Sequence, residues 1–335
     1  MTAFPIQGLC SLVGTIFYKL FVAVMALFYS VNPYVAPATT EPIKAVDESS
    51  VKMTFAAWGD PQISNYIFKR EPVFRAACED LTNTQIPIDA LVMAGDIAEN
   101  GLYSEFQFVY DRLAPTGVKH YINASGNHDI RLKTYKDAVK RFTKLTNALN
   151  SNAGNDLVID SLSYRYSVNG YEFVVLGSDK IVFEEAYISD AQLEWLDATL
   201  KETSATGKPT FVVVHQVLKD TNNIENAWNS AVDGAGSVGD QSDELREIMG
   251  RYDNIILITG HLHQGFGVGT YELVDSIHSI NLPSITIENK DGDDEGNISG
   301  IGYMVEVYEN KVLFRARNFA AGEYMPKYDI TIDLV

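Results

Sequence analysis

The chain has 335 residues, 46% of them hydrophobic, which is enough for one large α/β domain with a substantial core. Its formal net charge of -18 repels a phosphate backbone, and no run rich in lysine or arginine offsets that charge. Nucleic acid is therefore not expected as a partner. With only two cysteines, the sequence also offers no disulfide framework.

The first 38 residues differ in composition from the rest of the chain. An uncharged apolar run over residues 20–31 follows Lys19, and the small-residue pattern Ala36-Pro37-Ala38 comes after it. This order predicts an export signal over 1–38, either a signal peptide cleaved after Ala38 or an uncleaved signal anchor. In both cases the rest of the protein is expected outside the cytoplasm, secreted or anchored to a membrane.

The remaining chain is predicted to form a short linker and one domain. Residues 39–50 lack apolar periodicity and are typical of a flexible linker. The folded domain is then expected over 51–335, with its functional motifs in 52–265 and a β-rich completion in 266–335.

From residue 51 onward, short apolar runs alternate with stretches of helical periodicity. The predicted strands cover residues 53–58, 90–94, 120–124, 211–214 and 255–259. The predicted helices cover approximately 67–82, 103–113, 133–149, 189–204 and 241–252. This alternation predicts a largely parallel sheet. Two hairpins, with turns at Asn169-Gly170 and Glu309-Asn310, and a last strand over 328–334 indicate a second sheet packed on the first.

Polar side chains able to bind a metal follow each of the five predicted strands. In chain order the motifs are Gly59-Asp60-Pro61-Gln62, Gly95-Asp96, Gly126-Asn127-His128-Asp129, Val214-His215 and Gly260-His261-Leu262-His263. The alternating spacing of His261 and His263 places both rings on one side of an extended segment. Carboxylates, an amide and imidazoles at successive strand ends are the ligand types of a two-metal hydrolytic centre.

Taken in this order, the motifs resemble those of the calcineurin-like metallophosphoesterases over residues 52–265. The resemblance implies an α/β fold in which two mixed β-sheets pack as a sandwich flanked by helices, the αββα arrangement of metallo-dependent phosphatases. It also implies two adjacent metal sites that share the carboxylate of Asp96. The first would comprise Asp60, Gln62, Asp96 and His263, and the second would comprise Asp96, Asn127, His215 and His261.

The resemblance assigns further roles around these sites. His128 would protonate the leaving-group oxygen or stabilise the charge that develops on phosphorus, and Asp129 would orient it. Asn100 and Arg131 follow the second and third motifs and are the candidate substrate contacts. Most members have histidine in place of Gln62, and the harder amide oxygen favours two Mn²⁺ or Mg²⁺ ions, with Zn²⁺ or Fe²⁺ as alternatives.

The expected function is that of an exported, dinuclear-metal-dependent phosphoesterase. It would hydrolyse a small phosphomonoester or phosphodiester by attack of a metal-activated hydroxide. The alternative is a catalytically silent metal-binding or interaction module on the same fold. The presence of His128 and of every bridging ligand favours the enzyme.

Overall fold

A computed structural model describes residues 40–132, 134–225 and 236–335, so the predicted export signal over 1–38 lies outside the described residues. The strands are β1 (Met53–Trp58), β2 (Ala90–Ala94), β3 (His120–Ala124), β4 (Tyr164–Val168), β5 (Tyr171–Val175), β6 (Thr210–Val213), β7 (Ile255–Thr259), β8 (Tyr271–Val274), β9 (Ile277–Asn281), β10 (Ile301–Val307), β11 (Lys311–Asn318), β12 (Glu323–Tyr324) and β13 (Ile330–Asp333). The helices are α1 (Arg70–Thr82), α2 (Tyr103–Leu113), α3 (Asn127–Ile130), α4 (Tyr135–Asn152), α5 (Asp190–Ser204) and α6 (Ser242–Met249). Among these described elements, no helix has both the length and the apolar character needed to cross a membrane.

The strands form two mixed sheets. In the first sheet the order is β12-β11-β10-β1-β2-β3, with β13 paired to β11, and β1, β2 and β3 run parallel to one another. In the second sheet the order is β4-β5-β6-β7-β9-β8, and β5, β6, β7 and β9 are parallel. The parallel strands of each sheet therefore end at one edge, where the predicted metal-binding motifs begin.

The two sheets pack face to face and are covered by helices on their outer faces. Between the sheets, Phe55 of the first contacts Phe173 and Phe211 of the second, with ring centroids 5.4 and 5.1 Å apart. The outer face of the first sheet is covered by α1, α2 and α4, and that of the second by α5 and α6. The expected αββα sandwich is thus confirmed.

Residues 40–50 differ from the predicted flexible linker, because they are attached to the folded domain. Ile43 is fully buried, and its backbone exchanges hydrogen bonds with Asn83 and Gln85. The carbonyl of Glu41 accepts a hydrogen bond of 2.6 Å from Arg317. One apolar residue among polar neighbours gives no periodic signal, so composition alone could not predict this attachment.

The buried ion pair between Asp80 and Arg317 fixes this attachment. The Arg317 side chain is fully buried and binds Asp80 through two hydrogen bonds of 2.7 Å. This pair joins α1 to β11, and the same guanidinium reaches the carbonyl of Glu41. Removing the carboxylate would leave a buried charge without its counter-ion, which is far more costly than losing a surface pair.

The substitution Asp80→Ala is therefore expected to lower the free energy of unfolding by about 3–5 kcal/mol, measured by urea denaturation. Glu79→Ala provides the matched control, because Glu79 is exposed on the same helix and should change stability by no more than about 0.5 kcal/mol. Equal losses in the two variants would contradict the role given to the ion pair.

Candidate metal centre

The predicted ligands lie at the carboxyl ends of five strands. Asp60 follows β1, Asp96 follows β2 and Asn127 follows β3 in the first sheet, whereas His215 and the pair His261 and His263 follow β6 and β7 in the second. Each of the seven ligand candidates except His263 is at most 5% exposed, and the His263 side chain is 23% exposed. The centre therefore lies between the ends of the two sheets.

The backbone at these strand ends is strained. Five predicted ligands have positive φ angles: Asp60 (45°), Gln62 (38°), Asp96 (47°), His261 (73°) and His263 (50°). Every other non-glycine residue with positive φ in the described ranges is Asn or Asp, which tolerate this region best. Strain of this kind persists where surrounding contacts enforce it, and it concentrates at functional sites.

Glycines beside the ligands permit close approach of the chain segments. A Cβ atom added to Gly126 would lie 2.0 Å from Oδ1 of Asp96, and one added to Gly260 would lie 2.5 Å from Oδ2 of Asp60. Both distances are well inside van der Waals contact, so any larger residue would displace a buried carboxylate. The glycines of the motifs are therefore required by packing.

The predicted second site is assembled around Asp96. Nε2 of His215 lies 3.2 Å from Oδ2 of Asp96 and 3.1 Å from Nδ1 of His261, and one candidate ligand atom from each of these residues lies within 4.8 Å of the others. Nδ1 of His215 lies 2.7 Å from the carbonyl of Ala94, which can only accept, so Nε2 is left to bind a metal. Oδ1 of Asn127, the fourth predicted ligand, is buried without a hydrogen-bond partner among the described residues.

The predicted first site is contiguous with the second. Nε2 of His263 lies 3.1 Å from Oδ1 of Asp60, and that oxygen lies 3.9 Å from Nε2 of His215. The amide nitrogen of Gln62 donates a hydrogen bond of 3.1 Å to Oδ2 of Asp96. Gln62 thus contacts the carboxylate predicted to bridge the two sites, and its role as a ligand through Oε1 stays a prediction.

Burial and neighbouring charges shift the pKa values of the acids and imidazoles in the centre. Burial would lower the pKa of His215, but the charges of Asp96 and Asp60 outweigh it and raise the pKa to about 10. Burial and the charge of His215 lower the pKa of His261 well below its usual value. Burial would raise the pKa of Asp96, but His215 and the other nearby imidazoles keep it far below the usual range. Asp96 is therefore ionised and His261 is neutral, the forms in which each binds a metal, whereas His215 holds a proton that a bound cation would displace.

His128 is oriented by Glu99, and not by Asp129 as the resemblance implied. Nδ1 of His128 lies 3.0 Å from the backbone carbonyl oxygen of Glu99 and 3.2 Å from Oε1 of the Glu99 side chain. Because both oxygens are acceptors, this nitrogen carries a proton. The Asp129 carboxylate instead accepts hydrogen bonds from the backbone N–H groups of Ile97, Ala98 and Gly126. Burial and the charge of Asp96 raise the pKa of Asp129 to about 7. Asp129 therefore fixes the turns that carry the ligands.

Glu99 is a residue that the sequence reasoning missed. Burial would lower the pKa of His128, but the hydrogen bond to Glu99 and the charge of Asp96 outweigh it and raise the pKa. Glu99 also forms ion pairs with Arg70 and Arg131. Its place three residues after Asp96, in the same turn, is the sequence signal that could have indicated it.

The two candidate substrate contacts differ in position. Nη1 of Arg131 lies 3.1 Å from Nε2 of His128, and its side chain is 19% exposed, so it is part of the centre. Asn100 is directed to the start of α2, where its Nδ2 donates a hydrogen bond of 3.2 Å to Glu105. This contact to a helix terminus differs from the predicted contact with substrate.

A cavity of about 390 Å³ opens onto the centre. It is lined by Gln62, Asp96, His128, Glu184, His261, Leu262, His263 and Lys290. Glu184 and Lys290 were not predicted, because they lie in loops after β5 and β9 that carry no recognisable motif. The cavity has room for a small ligand beside the predicted metal positions.

The residues present fit two divalent cations. At the second site, Oδ1 of Asn127 is an orphaned buried acceptor, and ligand atoms of Asp96, His215 and His261 lie within 4.8 Å of one another. At the first site, Nε2 of His263 lies 3.1 Å from Oδ1 of Asp60. Buried oxygen and nitrogen acceptors in this arrangement are satisfied by a cation, since no donor of the described chain reaches Oδ1 of Asn127.

Comparison with known proteins agrees with a metal-dependent centre in this protein. The model of the calcineurin-like phosphoesterase family matches residues 53–265, and the chain belongs to this family. It is accordingly a metal-dependent phosphoesterase of a dimetal-dependent family, which acts on phosphate esters.

Two solved structures share the fold. A dimetal phosphatase from Danio rerio has a TM-score of 0.60 and 16% identity, over 85% of this chain and 100% of that one. The purple acid phosphatase PPD1 from yellow lupin (Lupinus luteus) seeds has a TM-score of 0.53 and 14% identity, over 85% of this chain and 54% of that one. No curated protein matches the sequence significantly.

The substitution Glu99→Gln is expected to lower the pKa of His128, because it removes a negative charge 3.2 Å from Nδ1. NMR titration of the histidine rings in metal-free protein measures this directly. His120 is the internal control in the same spectra, since it lies at the opposite end of β3 and contacts Tyr166. An unchanged titration of His128 would show that Glu99 does not set its pKa.

Proposed function

We propose that this phosphoesterase is exported and hydrolyses a small phosphomonoester or phosphodiester with two Mn²⁺ or Mg²⁺ ions. The observation that carries the proposal is that six of the seven predicted ligands, from four strand ends, lie in contact with one another beside one cavity. When bound, two such cations polarise the phosphoryl group and lower the pKa of a water molecule that becomes the nucleophile. The preference for Mn²⁺ or Mg²⁺ is supported by Gln62, whose oxygen is a harder ligand than imidazole.

The chain's own residues supply the rest of the chemistry. His128 lies on the cavity wall, with Nδ1 fixed by Glu99 and Nε2 directed toward Arg131 and Asp96. In the neutral ring Nε2 accepts from Nη1 of Arg131. The imidazolium, which the raised pKa favours, instead donates its Nε2 proton to the leaving-group oxygen and is left as the neutral ring, a role that contributes roughly 10²–10⁴ in rate. Arg131 supplies a positive charge beside this oxygen. Because the surrounding acids are buried, the electrostatic interactions of His128 and Arg131 with the leaving group are stronger than they would be in water.

The cavity supports a small substrate. Its volume of about 390 Å³ lies near the lower end of the range for small-molecule pockets. Lys290 is a basic residue on its wall, where it favours an anionic group. The net charge of -18 disfavours a polyanionic substrate such as a nucleic acid.

The test is hydrolysis of 4-nitrophenyl phosphate and bis(4-nitrophenyl) phosphate by metal-depleted protein, before and after addition of Mn²⁺ or Mg²⁺. We expect turnover of at least one substrate that requires the metal and is abolished by a chelator. The relative rates identify the protein as a monoesterase or a diesterase. Stoichiometric metal binding without turnover of either ester would favour the silent metal-binding module.

Two variants serve as controls for this experiment. His128→Ala should retain metal content and lose most turnover, with a larger loss for an alkyl leaving group than for 4-nitrophenolate, which leaves without protonation. Asp96→Asn should lose both metal and turnover, because Asp96 contacts candidate ligands of both sites. Wild-type turnover in His128→Ala would contradict the role given to the imidazole.

Export is supported by the apolar run over 20–31 and the small residues that precede position 39. Fractionation of cells that express the full chain should recover it outside the cytoplasm. Intact mass would then show either loss of residues 1–38, as for a cleaved signal peptide, or the whole chain in the membrane fraction, as for an anchor. Full-length protein in the soluble cytoplasmic fraction would contradict this part of the proposal.

A further inference from the structure

Glu184 contacts a predicted metal ligand from outside the motifs. Its Oε2 accepts a hydrogen bond of 2.9 Å from Nδ2 of Asn127, which is only 2% exposed. A carboxylate can only accept, so the contact fixes which end of the amide faces Glu184. Oδ1 then points away from Glu184, into the interior, where it has no hydrogen-bond partner among the described residues.

The loop that carries Glu184 is attached to the metal centre through its backbone. Nε2 of Gln216 lies 3.4 Å from the carbonyl of Glu184 and 3.2 Å from that of Glu185. Gln216 is 3% exposed and directly follows the predicted ligand His215. The position of Glu184 is therefore determined by the same strand end that supplies an imidazole to the second site.

We propose that Glu184 is a positioning residue for the second metal site, which it serves by orienting the amide of Asn127 so that Oδ1 binds the cation. This inference rests on the proposed function, because it presupposes that metals occupy the centre. A hydrogen bond from Nδ2 to a carboxylate also makes the amide oxygen a better donor to a cation. Without Glu184, either end of the amide could face the site, and only one end can bind a metal.

The substitution Glu184→Gln tests the inference. A glutamine side chain can both donate and accept, so it no longer imposes one orientation on Asn127. We expect the affinity of the second site for Mn²⁺ to fall about 10–100-fold, as is typical when the partner of a metal ligand is lost, with little change at the first site. Isothermal titration of chelator-treated protein with Mn²⁺ measures both affinities without reference to turnover.

Glu185→Gln is the matched control. It removes the same charge from the next residue of the same loop, but the Glu185 carboxylate lies near Gly239. We expect wild-type Mn²⁺ affinities at both sites. A loss of the same size in this variant would show that net charge, and not the orientation of Asn127, sets the affinity, and would overturn the inference.

A double variant, Asn127→Asp with Glu184→Gln, reverses the hydrogen bond. The glutamine amide would donate to the new carboxylate, whose second oxygen remains for the metal, and the net charge equals that of the wild type. We expect this variant to recover second-site affinity relative to Glu184→Gln alone. Failure to recover, with melting temperatures of the metal-free proteins unchanged, would contradict the positioning role.

The outcomes separate this inference from the proposed function. If the wild type binds two Mn²⁺ ions and Glu184→Gln binds both with unchanged affinity, the positioning role is overturned and the proposed function stands. If the wild type binds fewer than two ions under conditions of turnover, both are overturned.

Discussion

The metal centre depends on hydrogen bonds that each strand end makes with another. The carboxylate of Asp60 accepts a hydrogen bond of 3.0 Å from the backbone of His261, and that of Asp96 accepts one of 2.8 Å from the backbone of His128. Buried carboxylates need such donors, and a backbone N–H group needs a new acceptor where its strand ends. Because the backbone of one turn donates hydrogen bonds to the carboxylate of another, the centre forms only once both sheets have packed together.

These mutual contacts explain how the strained backbone is maintained. A left-handed conformation costs about 1–2 kcal/mol for an L-residue, and five predicted ligands adopt it. The turn after β1 is fixed by hydrogen bonds of 2.7 Å from the backbone of Gln62 to the carbonyl of Asp96 and of 2.8 Å from Ser284 to the carbonyl of Asp60. A relaxed turn would direct these side chains away from the shared cavity. The strain is thus a consequence of bringing ligands from two sheets to one point.

The sequence could predict the parts of the structure that depend on local pattern. The strands at 53–58, 90–94, 120–124 and 255–259 are found with the predicted bounds, because each is a short apolar run buried on both faces. The polar residues that follow these strands were identifiable because each motif comes directly after an apolar run. The hairpin of β8 and β9 was missed, since its turn at Asp275 has no Asn-Gly or Asp-Gly signal and β8 is half-exposed.

Contacts between residues that are distant in sequence could not be predicted in this way. Glu184 comes from the loop after β5 of the second sheet, yet it contacts Asn127, a predicted ligand carried by the first. No pattern within its own loop indicates that contact, because the loop's path is set by the packing of the two sheets. The attachment of Ile43 to Asn83 could not be predicted either, because these two residues are also distant in sequence.

The short helix α3 shows why neighbours in sequence need not act together. Successive residues of a helix point about 100° apart, so Asn127, His128 and Asp129 face three different directions. Asn127 turns toward Glu184 and the second site, His128 toward Glu99 and the cavity, and Asp129 toward the backbone of the preceding turns. The prediction that Asp129 orients His128 was wrong because adjacent helical side chains do not face each other. One turn of helix thereby directs three consecutive polar residues to the predicted second site, to the cavity and to the backbone of the preceding turns.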